Sequence, residues 1–403
     1  MDKARIRKWE VGGVVPDADN QRYLAEALGV PVQAVEEREW PHWLPSADGG
    51  VVPLGPTSTV PALREALNAT MNRSRRHVLS AISGTALISL SGTWAGTESL
   101  THTSDPSRAG KPVGDELVAL LEESTAKLAK LATEQRQHTA ALIDAHLTTV
   151  TDLIETGRHS GTVTKRLHTL AGNLSQTVAW HRFDSGLHAE AARYWIAGLH
   201  SAHASGDRDM GAALLGDLAY QASWRKDPAT AEGILERAIS RTEHPAARSL
   251  LHLRLARALA AQGEQRATLR ALKAAEHLLG TASGVPKPAW CAWLSEADLA
   301  VDSGQCLLDL GDTARAHSLI REGQKLLPSS RAKTRGVFLA YQAKSHLDLH
   351  EPELAAAAAT ESLQLALRIG APRCIRLVHD LIPQFQDHQA AEGVPALLHL
   401  AAA

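Results

Sequence analysis

Aromatic side chains are scarce in this sequence: nine Trp, four Tyr and three Phe make up 4% of 403 residues. That scarcity argues against a β-sandwich or barrel, whose pleated surfaces draw on aromatic and β-branched residues. Net charge is nearly absent as well. Lys and Arg number 42 against 44 Asp and Glu, so any nucleic-acid contact must come from a local basic patch rather than from the field of the whole chain. Only three cysteines occur, Cys291, Cys306 and Cys374. They lie far apart, lack metal-ligand spacing, and read as reduced thiols buried in helices of a cytoplasmic protein. Catalytic signatures are missing too: there is no GxGxxG, no Walker-type phosphate loop and no HExxH. Ser124-Thr125-Ala126-Lys127 and Ser330-Arg331-Ala332-Lys333 fit Ser-x-x-Lys, but the accompanying Lys-Thr-Gly is not there. His200 and His203 sit one helical turn apart, a spacing expected by chance among 20 histidines, and are assigned to packing. The sequence points to no enzyme, no cofactor and no metal site.

What the chain has in quantity is small and medium apolar residues. Hydrophobic residues reach 44%, much of it Ala and Leu, a composition that suits closely packed helices. Residues 1–44 read as a compact, helix-rich piece. Residues 45–114 read as a linker, with Pro45, Pro53, Pro56 and Pro61 at its start and an uncharged segment over 77–97. Residues 115–403 read as all-α. Leu117, Leu120, Leu121, Leu128 and Leu131 are placed on one helix face, and Leu142, Ile143, His146, Leu147, Val150, Leu153 and Ile154 on the next.

Within the helical region, turn positions are expected at Gly186, Lys226, Gly263, Gly311 and His350. Small residues recur at fixed offsets from them. Seven residues before the turns stand Ala179, Ala219, Ala256, Gly304 and Ala343; five after stand Ala191, Ala231, Thr268, Ala316 and Ala355; twelve after come Gly198, Ala238, Ala275, Gly323 and Ser362. Nine after, where a bulky group should plug the hairpin, are Trp195, Leu235, Leu272, Ile320 and Ala359. Two antiparallel helices approach closely only where side chains are small, and a larger neighbour fills the adjoining space. The pattern, over roughly residues 171–368, resembles the tetratricopeptide repeat. The resemblance implies a solenoid of helical hairpins, closed by a cap over Cys374–Ala403, with a groove for a peptide, small molecule or protein partner. By offset the groove would be lined by Asn173, Gln176, Trp180, Tyr220, Trp224, Arg257, Gln305 and Lys344. Arg257 and Lys344 are expected there as cations for an anionic ligand. Packing of Trp180, Tyr220 and Trp224 between hairpins is the competing reading.

At the N-terminus, Ile6-Arg7-Lys8-Trp9-Glu10 followed by Gly12, and then Leu24-Ala25-Glu26-Ala27-Leu28-Gly29-Val30, resemble the back half of a Cro/repressor-type helix-turn-helix. Tyr23, Leu24, Ala27 and Leu28 are placed on one side of its second helix. That resemblance implies a bacterial transcriptional regulator in which Lys3, Arg5, Arg7 and Lys8 meet phosphate oxygens of DNA. The whole is therefore expected to be a tetratricopeptide-like solenoid preceded by a truncated helix-turn-helix. A homodimer is compatible with this arrangement. The alternative is an interaction scaffold with a vestigial DNA-binding segment. Ser74-Arg75-Arg76-His77-Val78-Leu79 resembles a twin-arginine export signal, but it begins far from the N-terminus and the run behind it is rich in Ser, Thr and Gly. A linker or short packed helix is favoured there over membrane association or export.

A domain of this type needs two helices ahead of the recognition helix, and the expectation is that its reading frame starts upstream of Met1. The genomic sequence checks this directly: in-frame codons for two amphipathic helices should precede Met1, and an in-frame stop just before it would end the idea.

Overall fold

The computed structural model describes residues 15–27, 51–71 except 56, 82–98, 110–129, 131, 135 and 138–402 except 283. Helices account for nearly all of the regular structure, and the described residues contain no strand beyond a single bridge between Pro112 and Arg158. Lys3, Arg5, Arg7 and Lys8 lie outside the described residues. Of the N-terminal piece, helix α1 (Ala18–Ala27) is present, its first turn capped where the Asn20 N–H donates to Asp17 Oδ1 at 2.9 Å. Tyr23, placed on the packed side by sequence, is exposed.

The repeat region is a succession of hairpins. Helices α6 (Gly161–Asp184) and α7 (His188–Ser205) form the first, followed by α8 (Arg208–Trp224) with α9 (Pro228–Arg241) and α10 (Pro245–Ala261) with α11 (Gln265–Thr281). Then come α12 (Glu296–Asp309) with α13 (Thr313–Leu326), and α14 (Ala332–Asp348) with α15 (Pro352–Ile369). All five turn positions expected from the sequence carry left-handed backbone: Gly186 φ 78°, Lys226 65°, Gly263 78°, Gly311 83° and His350 60°. Each turn also closes with the same pair of hydrogen bonds. At the first, the Gly186 N–H donates to Phe183 O at 2.9 Å and the Leu187 N–H to Arg182 O at 2.8 Å; at the last, His350 donates to Leu347 O and Glu351 to His346 O. This pair of hydrogen bonds satisfies carbonyls that the helix end would leave bare and turns the chain back on itself.

Close approach of the paired helices follows from the small residues. Ala179, Ala219, Ala256 and Ala343 on the first helices, and Ala191, Ala231, Ala316 and Ala355 on the second, are fully buried. A Cβ added at Gly323 would lie 2.6 Å from Ala297 O and 2.5 Å from Val301 Cγ2, so there the facing helix leaves no room even for a methyl group. Thr268, the one β-branched residue in the series, is also buried and returns its hydroxyl to Glu264 O at 3.0 Å. Even the small plug Ala359 is sealed.

Helices α4 (Asp115–Ala129) and α5 (Ala140–Thr156) lead into the array against α6. On α5, Ile143, Leu147, Val150 and Ile154 of the expected stripe are buried, while Leu142 is exposed. On α4 the buried face is Val118 and Leu121, and Leu117 and Leu120 stand exposed. The leucine count misjudged the phase because Val118 carries the inward direction. At the other end, α16 (Pro372–His379), α17 (Ile382–Phe385) and α18 (Val394–Ala402) cover α15 with Val378, Phe385, Val394 and Leu397.

Over 45–114 the described residues are more than a linker, and of the two readings favoured for the uncharged segment it is the short packed helix that forms. The described parts of 45–114 include two helices, α2 (Thr59–Met71) and α3 (Gly84–Gly96), laid on the outer helices α7 and α9. Leu63 and Ala66 of α2, and Leu87, Leu90 and Trp94 of α3, are buried. Trp94 fits against Gly211, where a Cβ would come within 2.7 Å of its ring. Over its described part the uncharged run has one face in the core, while Thr85, Ser89 and Thr93 on the other are exposed. His200 ties the same segment down: one ring nitrogen bonds Val52 O and the other Ser58 Oγ, both at 3.0 Å. Burial holds that imidazole down to about 4, hence neutral at pH 7. Among the described residues no helix is long and apolar enough to cross a membrane.

Gly323→Ala should lower stability by about 1–3 kcal/mol through overpacking, outweighing the ~1 kcal/mol that Ala contributes as a better helix former. The midpoint of urea unfolding measures this; an unchanged or raised midpoint would mean that the helices do not meet there.

Candidate functional site

The first helices of the hairpins (α6, α8, α10, α12 and α14) turn one face inward, and side chains from that face meet across the array. Six residues before the turns stand Trp180, Tyr220, Arg257, Gln305 and Lys344, the positions expected to line a groove. Nine before, one turn earlier on the same face, stand Thr177, Asp217, Arg254, Asp302 and Tyr341. These two rows interlock between neighbouring hairpins.

Asp217 is the hub of the first half. Its carboxylate accepts from Gln176 Nε2 at 2.7 Å, from Trp180 Nε1 at 3.0 Å and from Arg254 Nη1 at 2.8 Å. Burial pushes this carboxyl up, and Arg254, Gln176 and Trp180 pull it back. Around the hub the scarce aromatics gather. Trp180 meets Phe183 and Trp195 edge-on, each at 5.5 Å between ring centroids, and Tyr220 at 5.7 Å, while Phe183 meets Trp224 at 5.8 Å. Edge-to-face contacts of this kind contribute beyond simple area burial. The Arg254 guanidinium lies 5.6 Å above the Tyr220 ring.

In the second half, Arg257 pairs with Asp302 at 3.5 Å and stacks 5.4 Å over Tyr341. Burial first, and then the neighbouring Asp298, push the Asp302 carboxyl up to about 6 against the pull of Arg257. Arg331 makes a two-pronged contact with the buried Asp298, both bonds 2.8 Å, the planar match of guanidinium to carboxylate. Gln305 donates to Asp309 at 3.0 Å, and its Oε1 is buried without a hydrogen-bond partner.

Of the eight residues expected in the groove, Gln176, Trp180, Tyr220 and Trp224 come together around Asp217 and Phe183. Arg257 joins Tyr341 and Asp302. Lys344 pairs with Asp348 on its own helix, and Asn173 is exposed at one end. Both of these cations, expected to serve an anionic ligand, have carboxylate partners within the protein. Sequence reasoning missed Asp184, Phe183, Asp217, Arg254, Asp302, Lys333, Tyr341 and Arg373. The row at offset nine was readable by the same register that found the row at offset six.

The array also closes on itself. Asp184, at the end of α6, pairs with Lys333 of α14 and lies 3.5 Å from Arg373 Nε of α16. Burial alone would raise the Asp184 carboxyl, but Arg373 and Lys333 outweigh it and hold it below the usual carboxylate range. Lys333, one end of a Ser-x-x-Lys match, is thus part of this closure. Beside it a cleft opens between Phe183, His188, Trp224 and Pro372. Among the described residues no group of three or more His, Cys, Asp or Glu side chains is arranged to hold a metal ion.

Asp217→Ala should destabilise the protein by about 3–5 kcal/mol, because it strands the Arg254 charge in the interior. Chemical denaturation measures the loss, and the double replacement Asp217→Leu with Arg254→Met should recover much of it.

No protein-family model matches this chain, and no curated protein matches it. Among solved structures, a Rap protein complexed with Competence and Sporulation Factor is similar over 72% of this chain and 97% of its own, at 12% identity and a TM-score of 0.46. At that score the description of the fold rests on this chain's own geometry: an all-α stack of helical hairpins.

Proposed function

We propose that this chain is a DNA-binding transcriptional regulator whose helical-repeat domain captures a peptide in the groove formed by its first helices. The observation that carries the reading is the inward face itself. Aromatic rings, paired charges and the unpartnered Gln305 Oε1 are concentrated where a solenoid needs only apolar packing. A peptide offers what such a face can use: backbone donors and acceptors for Asp302 and Gln305, and side chains for the rings of Trp180, Tyr220 and Tyr341.

DNA contact is assigned to Lys3, Arg5, Arg7 and Lys8 through the helix-turn-helix resemblance. Support for coupling comes from the outer surface. Helices α2 and α3 follow the N-terminal piece in sequence and are fixed to α7 and α9, the outer helices of the first two hairpins. A ligand that binds one curvature of the array better than another would therefore move the ground on which that segment rests. The alternative, an interaction scaffold with a vestigial N-terminus, uses the same groove without DNA.

The test is duplex binding by the chain, measured by fluorescence anisotropy over a salt series. Four phosphate-contacting cations give a slope of log K against log salt of about −3 to −4, and Arg7→Ala should flatten it by roughly one. No binding, or a slope near zero, leaves the scaffold. For the groove, a thermal-shift screen of a short-peptide library should return binders that Tyr341→Ala weakens.

A further inference from the structure

Arg373 occupies an unusual seat. It stands at the start of α16, yet its guanidinium carbon lies 5.7 Å from the Trp180 ring centroid and 5.9 Å from those of Phe183 and Tyr220. Three ring faces or edges within about 6 Å make a cation cage, and its walls come from α6 and α8, at the opposite end of the array. Asp184 supplies the counter-charge. The fit is nonetheless incomplete. Arg373 Nη1 reaches the Tyr220 hydroxyl only at 3.4 Å, and its Nε is 3.5 Å from Asp184 Oδ1. Arg373 Nε and Asp184 Oδ1 are both buried without a hydrogen bond. A guanidinium tethered to α16 thus fills the cage without making the two-pronged carboxylate contact that the same chemistry achieves at Arg331 and Asp298.

Building on the groove reading above, we propose that the cage of Trp180, Phe183 and Tyr220 with Asp184 is a recognition site for an arginine side chain of the peptide ligand. In the unliganded protein Arg373 fills that site, so ligand entry expels Arg373 and frees α16 from the first hairpin. An untethered guanidinium can rotate to engage Asp184 with two parallel bonds, which the internal occupant does not do. The cleft between Phe183, His188, Trp224 and Pro372 is also lined by Asp184 and Arg373, so it reaches the charged side of the cage. Lys333 keeps its hold on Asp184 from α14 and so retains part of the closure while the guest is seated. An internal occupant lowers the apparent affinity for a guest by the fraction of molecules in which the cage is empty. Removing it should therefore reveal the site.

The experiment uses agmatine, a guanidinium on a short alkyl chain, titrated calorimetrically into the full-length protein. Arg373→Ala should bind agmatine at least tenfold more tightly than the unaltered chain, and Trp180→Leu in that background should abolish the gain. Circular dichroism and melting curves establish that each variant is folded. Small-angle scattering should show a larger radius of gyration for Arg373→Ala, the increase being limited by the Asp184–Lys333 pair that persists. Should Arg373→Ala fail to fold, Arg373→Lys keeps the charge but loses the flat face, and a severalfold gain in agmatine affinity is expected. Equal affinity in all variants, or a gain that survives loss of Trp180, overturns the proposal. So does an arginine-free peptide from the library screen that binds in the cage; if it binds elsewhere along the groove while agmatine fails, the groove reading stands and the cage assignment falls.

Discussion

Everything in this molecule depends on how closely two antiparallel helices can lie. Within each hairpin the backbones meet over Ala, Gly, Ser or a folded-back Thr, and a residue in the left-handed region turns one helix into the next. Gly is the inexpensive choice for that backbone; Lys226 and His350 adopt it without that advantage, because the paired hydrogen bonds and the packing of both flanking helices fix the turn. Repeated five times, this contact sets the curvature of the array. Curvature in turn decides which side chains from distant repeats share a space. Tyr220 and Arg373 are separated by 153 positions and touch only because the hairpins between them rotate by consistent small steps.

The inner face carries polar groups that a stack of helices does not need for stability. Buried ion pairs return little net stability once desolvation is counted, and hydrophobic residues of the same size often do as well. Asp217, Arg254 and Asp298 are nonetheless almost shut off from solvent, with Arg331 half-buried. What such pairs contribute is geometry. Each carboxylate takes donors from more than one hairpin, so Gln176, Trp180 and Arg254 are held in one orientation about Asp217. Tryptophan and tyrosine rings fixed in this way form walls rather than mobile fillers.

The outer face has a different chemistry. Helices α2 and α3 lie against α7 and α9 through Leu63, Leu87, Leu90 and Trp94, with Arg193 paired to Glu65 at the margin. His200 clamps Val52 and Ser58 as a neutral ring. The described helices α2 and α3 are thereby part of the array's shell.

Local pattern was enough to identify the hairpins. The spacing of Ala179, Ala191 and Gly198 about Gly186, and its recurrence about Gly263 and Gly311, is a statement about neighbours in one or two helices, and short-range periodicity encodes that directly. The inward row Trp180, Tyr220 and Arg257 was legible for the same reason. Other features were not. An uncharged Ser-, Thr- and Gly-rich run such as 82–97 fits a linker as well as a short packed helix, and only the presence of α9 beside it makes Leu87 and Trp94 core. Leu117 and Leu120 are apolar yet exposed, since the neighbour of α4 lies on the side of Val118. The partner of Arg257 has no local signature because Asp302 belongs to the next hairpin, whereas Lys344 and Asp348 stand four apart on one helix. The seat of Arg373 has no sequence signature at all. Helix periodicity is fixed by bonds between near neighbours and is written along the chain, whereas the closing of the array is the sum of many small rotations, which only the packed whole can determine.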